Sequence, residues 1–120
     1  MSRGFDTDDV DLRIDARREG KAAVVSLEGE VTVFSSPALR ERLHQVMDEK
    51  PARVVLDLTE VRYVDSSGVA TFVDALRQIR ARGGEMVLAC VSQRVQGVIE
   101  IARLDTLFPM ADTVEEALQS

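Results

Sequence analysis

The chain has 120 residues, of which 45% are hydrophobic and 30% are charged, and its 15 basic and 21 acidic side chains give a formal net charge of −6. This length and mixture are typical of one globular domain. The acidic balance argues against nucleic acid as a partner, because phosphate contacts need clustered lysine and arginine.

The lone cysteine and the amino-terminal residues limit the possible disulfides, metal sites and cellular locations of the protein. Cys90 provides neither an internal disulfide nor a paired-cysteine metal site, and the apolar run around it predicts a buried thiol in a core strand. No stretch has the ~20 apolar residues of a membrane span, and the start lacks a signal-peptide pattern, so we expect a cytoplasmic protein without a membrane partner. We expect residues 1–9 to be a flexible, solvated acidic tail and residues 10–120 to form the domain.

The first elements along the chain are two predicted strands. Polar and apolar residues alternate over Asp11–Arg17, as in a strand with one wet face. The turn at Glu19-Gly20 leads into a second strand over Ala22–Val31. The short connection predicts an antiparallel hairpin.

A helix is predicted next, from Ser35-Ser36-Pro37 to Lys50-Pro51. Either serine is a suitable cap, and proline is favoured in the first turn of a helix. One apolar stripe follows at helical spacing, formed by Leu39, Leu43, Val46 and Met47.

The middle of the chain repeats the strand and helix alternation. Arg53–Leu58 predicts a strand buried on both faces. The helix after it begins near Gly68 and ends at Gly83-Gly84, because glycine tolerates the left-handed conformation beyond a helix end. Its inner stripe is Val69, Phe72, Val73, Leu76 and either Ile79 or Arg80. Met86–Val91 is the fourth predicted strand.

The last elements complete an α/β pattern. Ser92 is expected to cap a helix whose inner stripe is Val95, Val98, Ile99 and Ala102. Leu107–Met110 predicts a short edge strand, and Thr113 with Glu116 has the form of a capping box at a terminal helix. The order ββαβαβαβα predicts a mixed, mostly parallel sheet with right-handed crossovers.

The segment Asp65-Ser66-Ser67-Gly68 has the chemistry of a modifiable helix start. Aspartate and serine cap helices well, and the positive end of a helix accommodates an anion such as a phosphate. Gly68 permits another backbone to approach closely. Taken alone, the tetrapeptide is also typical of an ordinary capped turn.

The surrounding sequence resembles the STAS domain family, and within it the bacterial anti-sigma factor antagonists, over roughly residues 11–118. The resemblance is carried by Leu27-Glu28-Gly29-Glu30-Val31, Leu39, Val54-Val55-Leu56-Asp57-Leu58, Val61, Tyr63 to Val69, Gly83 to Leu88, Leu104 and Phe108. It implies the STAS (SpoIIAA-like) fold, with helices packed mainly on one face of the sheet.

The resemblance also implies a partner-switching mechanism. In the family, the unphosphorylated antagonist binds an anti-sigma factor and the sigma factor is released. The anti-sigma factor is itself a serine kinase and uses ATP to phosphorylate the serine before the glycine, which is Ser67 here. A PP2C-type phosphatase resets the switch. Asp65, Ser66 and Gly68 then become recognition and capping residues beside the acceptor.

The segment that follows the second strand is the other expected partner contact, formed by Thr32, Val33, Phe34 and Ser35. Many family members have aspartate where this chain has Thr32, so the resemblance does not identify the kinase. The apolar pair Val33-Phe34 is consistent either with a contact patch or with a loop packed onto the core. Ile101 and Leu104 are likewise consistent with core or with partner-facing positions.

Other functions find less support in the sequence. There is no GxSxG elbow, and His44 beside Leu43 is expected to be solvated, so we expect no enzyme activity, small-molecule substrate, cofactor or metal. The main alternative is a STAS subunit of another complex, such as a lipid-transport ABC system or a stress-sensing assembly, in which the domain is a protein-interaction module.

Overall fold

A computed structural model describes residues 11–119, and the predicted tail over residues 1–9 lies outside them. The strands are β1 (Leu12–Glu19), β2 (Ala22–Val31), β3 (Arg53–Val64), β4 (Glu85–Ala89) and β5 (Met110–Ala111). The helices are α1 (Ser36–Asp48), α2 (Ser66–Ala81), α3 (Gln93–Ile101) and α4 (Val114–Gln119). This is the predicted element order.

The strands form one five-stranded sheet in the order β1-β2-β3-β4-β5. β1 and β2 are antiparallel and turn at Gly20, whose φ of 64° suits a tight hairpin. β2, β3, β4 and β5 are parallel to one another. The mixed, mostly parallel sheet predicted from the element order is confirmed, and it gathers the carboxyl ends of β2, β3 and β4 along one edge.

The two faces of the sheet are covered unequally. One face carries the main core, in which Leu56 and Leu88 pack against apolar residues of α1, α2 and α3. The opposite face is covered by α4, where Ala117 lies over a smaller cluster containing Val55 and Val87. Val54 and Leu56 face the main core and Val55 faces the smaller cluster, which explains the apolar run of β3. The prediction of helices mainly on one face is confirmed.

Most of the predicted helix boundaries are confirmed in detail. Gly83 has a φ of 86° and donates to the Arg80 carbonyl oxygen, while Gly84 donates to Ile79, which is the double hydrogen bond of a glycine-terminated helix. Ile79, not Arg80, is the buried member of the α2 stripe. Ser92 caps α3 through the Val95 N–H.

Three details of the prediction for the last elements differ from the structure. At α4, Thr113 accepts from the Glu116 N–H, but the Glu116 carboxylate accepts from Asp112 N rather than from the cap residue itself. In α3, Ala102 is exposed at the helix end and does not belong to the inner stripe. β5 comprises Met110–Ala111 instead of Leu107–Met110, because Leu107 is engaged in a turn with the Leu104 carbonyl oxygen.

Two strand ends also differ from the prediction. β3 continues past Leu58 to Val64, beside register shifts against β2 that place both Val61 and Val64 in the core. β4 ends at Ala89, and Cys90 follows with a φ of 61° and a half-buried side chain. The cysteine therefore lies just past a core strand, not within one.

Candidate functional site

Two predicted segments meet at the carboxyl edge of the sheet. β2 ends at Val31 and β3 ends at Val64, which are paired neighbours in the parallel ladder. The chain after β3 stays close to β2, because the Asp65 N–H donates to the Val31 carbonyl oxygen over 3.0 Å. The loop before α1 and the start of α2 are therefore brought side by side.

The carboxylate of Asp65 joins these two segments. Its Oδ1 accepts from the Gly68 N–H at 3.0 Å, which caps α2. Its Oδ2 accepts from the Val33 N–H at 3.1 Å. One side chain thus fixes both the helix start and the loop that the sequence predicted as a second partner contact.

Gly68 is packed too closely for any side chain. A Cβ built at this position lies 2.7 Å from the Val31 carbonyl oxygen and 2.7 Å from Val64 Cγ1. Real Cβ contacts are longer, so α2 approaches β2 and β3 this closely because residue 68 is glycine. The predicted close backbone approach at Gly68 is confirmed.

The two serines of the segment occupy different faces of α2. Ser66 is exposed and lines an apolar groove between α2 and α3, together with Val73 and Ile101. Ser67 is half-buried, and its hydroxyl forms no hydrogen bond with another residue in the range 11–119. The Ser67 carbonyl oxygen accepts from Thr71 Oγ1 at 3.0 Å, one helical turn later on the same face.

The loop after β2 is held firmly by its polar groups. Ser35 Oγ accepts from the Thr32 N–H and donates to the Glu30 carbonyl oxygen, both at 2.9 Å. The Ser36 hydroxyl donates to the Thr32 carbonyl oxygen at 2.7 Å. Ser35 precedes α1 but forms no side-chain cap, so the serines predicted as alternative caps instead stabilise the loop.

The apolar side chains of this loop point outward. Val33 is 57% exposed and Phe34 is 75% exposed, although their backbone amides are hydrogen-bonded to Asp65 and Thr32. Of the two interpretations left open by the sequence, the packing of this pair onto the core is wrong, and a partner contact stays a prediction.

The exposure of one aromatic residue near the segment 65–68 was not identified from the sequence: Tyr63, at the end of β3, is 41% exposed. Of the two residues left open between core and surface, Ile101 is 86% exposed beside the groove that Ser66 lines, and Leu104 is partly buried against the core. Arg62 forms ion pairs with Asp11 and Glu30 at the same edge of the sheet. Over residues 59–64 two exposed residues precede each buried valine, so the period-two signal of a strand is missing where Tyr63 lies.

Three further features of the described residues concern the histidine, metal-binding groups and membrane helices. His44 is exposed on α1. Between residues 11 and 119, no group of three histidine, cysteine or acidic side chains is arranged to hold a metal ion. In the same range, no helix combines the length and the apolar character needed to cross a membrane.

The sequence is similar to a known domain family and to individual proteins of known name. A family model described as the STAS domain matches residues 13–117. The anti-sigma-B factor antagonist of Bacillus subtilis is 27% identical over 110 residues, which cover 92% of this chain and all of the relative. The protein of the same name from Listeria monocytogenes is 30% identical over 92 residues, covering 77% of this chain and 81% of the relative.

Solved structures show the same fold. An anti-sigma factor antagonist from Mycobacterium paratuberculosis superposes with a TM-score of 0.82 at 23% identity, covering 90% of this chain and 92% of the other. The antagonist SpoIIAA in its unphosphorylated form gives a TM-score of 0.76 at 21% identity, covering 89% and 94%. The Bacillus cell fate determinant SpoIIAA in its phosphorylated form gives 0.69 at 20%, covering 89% and 97%.

Proposed function

We infer the function of this chain from its membership of the STAS domain family, to which it belongs by the match over residues 13–117. We propose that it is an anti-sigma factor antagonist that works without catalysis of its own, in the cytoplasm. Unphosphorylated, it binds an anti-sigma factor that is also a serine kinase, and the sigma factor is released. Phosphorylation at Ser67 ends that binding, and a PP2C-type phosphatase restores it.

The observation that carries the proposal is the junction made by Asp65. This carboxylate holds the Val33 N–H and the Gly68 N–H at the same time. Ser67, which is half-buried and lies two residues after Asp65, therefore belongs to the same surface as the exposed side chains of the loop after β2. We assign the partner contact to this surface, formed by Thr32, Val33, Phe34, Ser35, Asp65, Ser66, Ser67 and Gly68.

The physical basis of the switch is local charge. A phosphate adds about −1.5 to −2 charges and three acceptor oxygens. Within a packed interface that charge loses its water, and the cost is not recovered unless the partner provides cations. A loss of about 2.8 kcal/mol in binding free energy lowers affinity a hundredfold. The backbone around Ser67 need not move for this effect.

The relatives support this choice over a STAS subunit of a transport or stress-sensing complex. Relatives at 27% and 30% identity over most of their length are named anti-sigma-B factor antagonists. A solved phosphorylated form of a protein with the same fold is consistent with a modifiable serine in this architecture.

The proposal is tested with the cognate anti-sigma kinase and ATP. We expect mass spectrometry to find one phosphate, on Ser67. Ser67→Ala should bind the kinase persistently and Ser67→Asp weakly in a pull-down. Ser66→Ala is the matched control, which should still accept phosphate. A phosphate on Ser66, or equal capture of the alanine and aspartate variants of Ser67, would count against the mechanism.

A further inference from the structure

Arg40 on α1 is linked to the backbone of Ser67 through one buried hydroxyl. The Arg40 Nη2 donates to Thr71 Oγ1 at 3.4 Å. The same Thr71 oxygen donates to the Ser67 carbonyl oxygen at 3.0 Å. Thr71 is only 1% exposed, so its hydroxyl is held between α1 and the first turn of α2.

This bridge distinguishes the two serines. Residues four apart lie on one face of a helix, so Ser67 and Thr71 face α1 together. Ser66 lies on the face that forms the groove with α3. The Arg40 charge on α1 is therefore closer to a group on residue 67 than to one on residue 66.

Arg40 is available for a new anionic partner. Its side chain is exposed, and no carboxylate within residues 11–119 forms an ion pair with it. The Gly68 N–H, which a phosphate on Ser67 would otherwise reach, is already occupied by Asp65 Oδ1. That amide is therefore closed to a phosphate at this position, which leaves the N–H groups of Ser66 and Ser67 and a nearby cationic side chain to stabilise it.

We propose that Arg40 is the intramolecular counterion of a phosphate on Ser67. This inference rests on the proposed function in one respect, namely that Ser67 is phosphorylated in the cell. The guanidinium would leave Thr71 and move one helical turn, about 5.4 Å, along α2. Its planar donor fork matches phosphate oxygens in a way that a lysine ammonium does not. The pair draws the phosphate toward α1 and favours its doubly charged form.

The test installs phosphoserine at position 67 during translation, so that neither kinase nor partner is needed. ³¹P NMR titration then measures the second pKa of the phosphate. We expect Arg40→Gln to raise that pKa by roughly half a pH unit, the size of an exposed ion pair. Arg40→Lys keeps the charge and should retain most of the effect. Asp65, the neighbouring carboxylate on α2, remains in every variant.

Two controls test whether the pKa shift depends on the positions of Arg40 and the phosphate around α2. The pKa of phosphoserine at position 66 should shift clearly less on Arg40→Gln than the pKa of phosphoserine at position 67. Arg77→Gln, which removes the same charge from the other side of α2, should leave the phosphoserine 67 titration unchanged. An unchanged pKa in Arg40→Gln, or equal shifts at positions 66 and 67, would overturn the proposal. The kinase assay and this titration are separate experiments. If the kinase never phosphorylates Ser67, the proposed function is wrong, but the titration of installed phosphoserine still tests the ion pair.

Discussion

Replacing Gly68 by alanine tests whether close packing at the start of α2 assembles the site. The new Cβ would lie 2.7 Å from both the Val31 carbonyl oxygen and Val64 Cγ1. Forcing a methyl group into packed surroundings typically costs about 1–3 kcal/mol. The better helix propensity of alanine offsets up to about 1 kcal/mol of this cost. We therefore expect Gly68→Ala to lower the free energy of unfolding by about 1–2 kcal/mol.

Gly97 in α3 provides a matched control for the same chemical change. A Cβ at this position meets no atom within 4 Å. Gly97→Ala should therefore raise the free energy of unfolding by about 0.5–1 kcal/mol, because only the propensity gain remains. Urea titrations of both variants and the wild type measure the two changes, provided that the m-values agree.

A local readout distinguishes displacement of α2 from a general loss of stability. The methyl group pushes α2 away from β2, which lengthens the bond from the Asp65 N–H to Val31 and the bond from the Val33 N–H to Asp65. Hydrogen exchange at these two amides should accelerate in Gly68→Ala and not in Gly97→Ala. If Gly68→Ala is as stable as the wild type with unchanged exchange, the packing argument for this glycine is wrong.

Three further changes probe the site and the framework. Asp65→Ala should cost about 0.5–2 kcal/mol of stability through the lost cap, and circular dichroism melting measures it. Phe34→Ala should change stability by less than about 0.5 kcal/mol, because the ring is exposed, but should weaken kinase binding by more than about 1 kcal/mol in calorimetry. Partial burial raises the pKa of Glu85, but hydrogen bonds from Arg80 and the next backbone amide outweigh it and leave the pKa below its ordinary value of 4.5. The ionised carboxylate therefore stabilises the fold above about pH 4.5, and this contribution is lost as the pH falls through the lowered pKa. Because the pair is exposed, the contribution is only roughly a few tenths of a kcal/mol. Acid titrations monitored by fluorescence of an added dye should show that Arg80→Gln reduces this part of the pH dependence, while the bond from the Met86 N–H remains.

The three longer helices were predictable because each one shows its buried face as an apolar stripe, whereas α4 was indicated by its capping residues. Leu39 and Leu43 on α1, and Phe72 and Leu76 on α2, are all buried at the spacing that the sequence indicates. Strand ends were harder to predict. The exposed face of β3 carries polar residues beyond Leu58, and the register shift against β2 breaks the alternation that identifies a strand.

The site was predictable only where its chemistry is contiguous in the chain. The Asp65 cap and the close approach at Gly68 follow from local residue preferences and glycine chemistry. The bond from the Val33 N–H to Asp65 joins residues 32 positions apart, and the bond from Arg40 to Thr71 joins residues 31 positions apart. No local pattern encodes such pairs, because they depend on how β2 and β3 are aligned and how α1 packs on α2.

The rigidity of the site has a consequence for the proposed switch. The loop after β2 and the start of α2 are already joined in the free protein by Asp65, and Gly68 lets them pack without a gap. Binding therefore need not order either segment, and little affinity is lost to conformational entropy. For the same reason, a phosphate on Ser67 has no flexible loop to displace. It acts on the partner through its charge and hydration, so its effect on affinity depends on which cations lie nearby, in the partner or at Arg40.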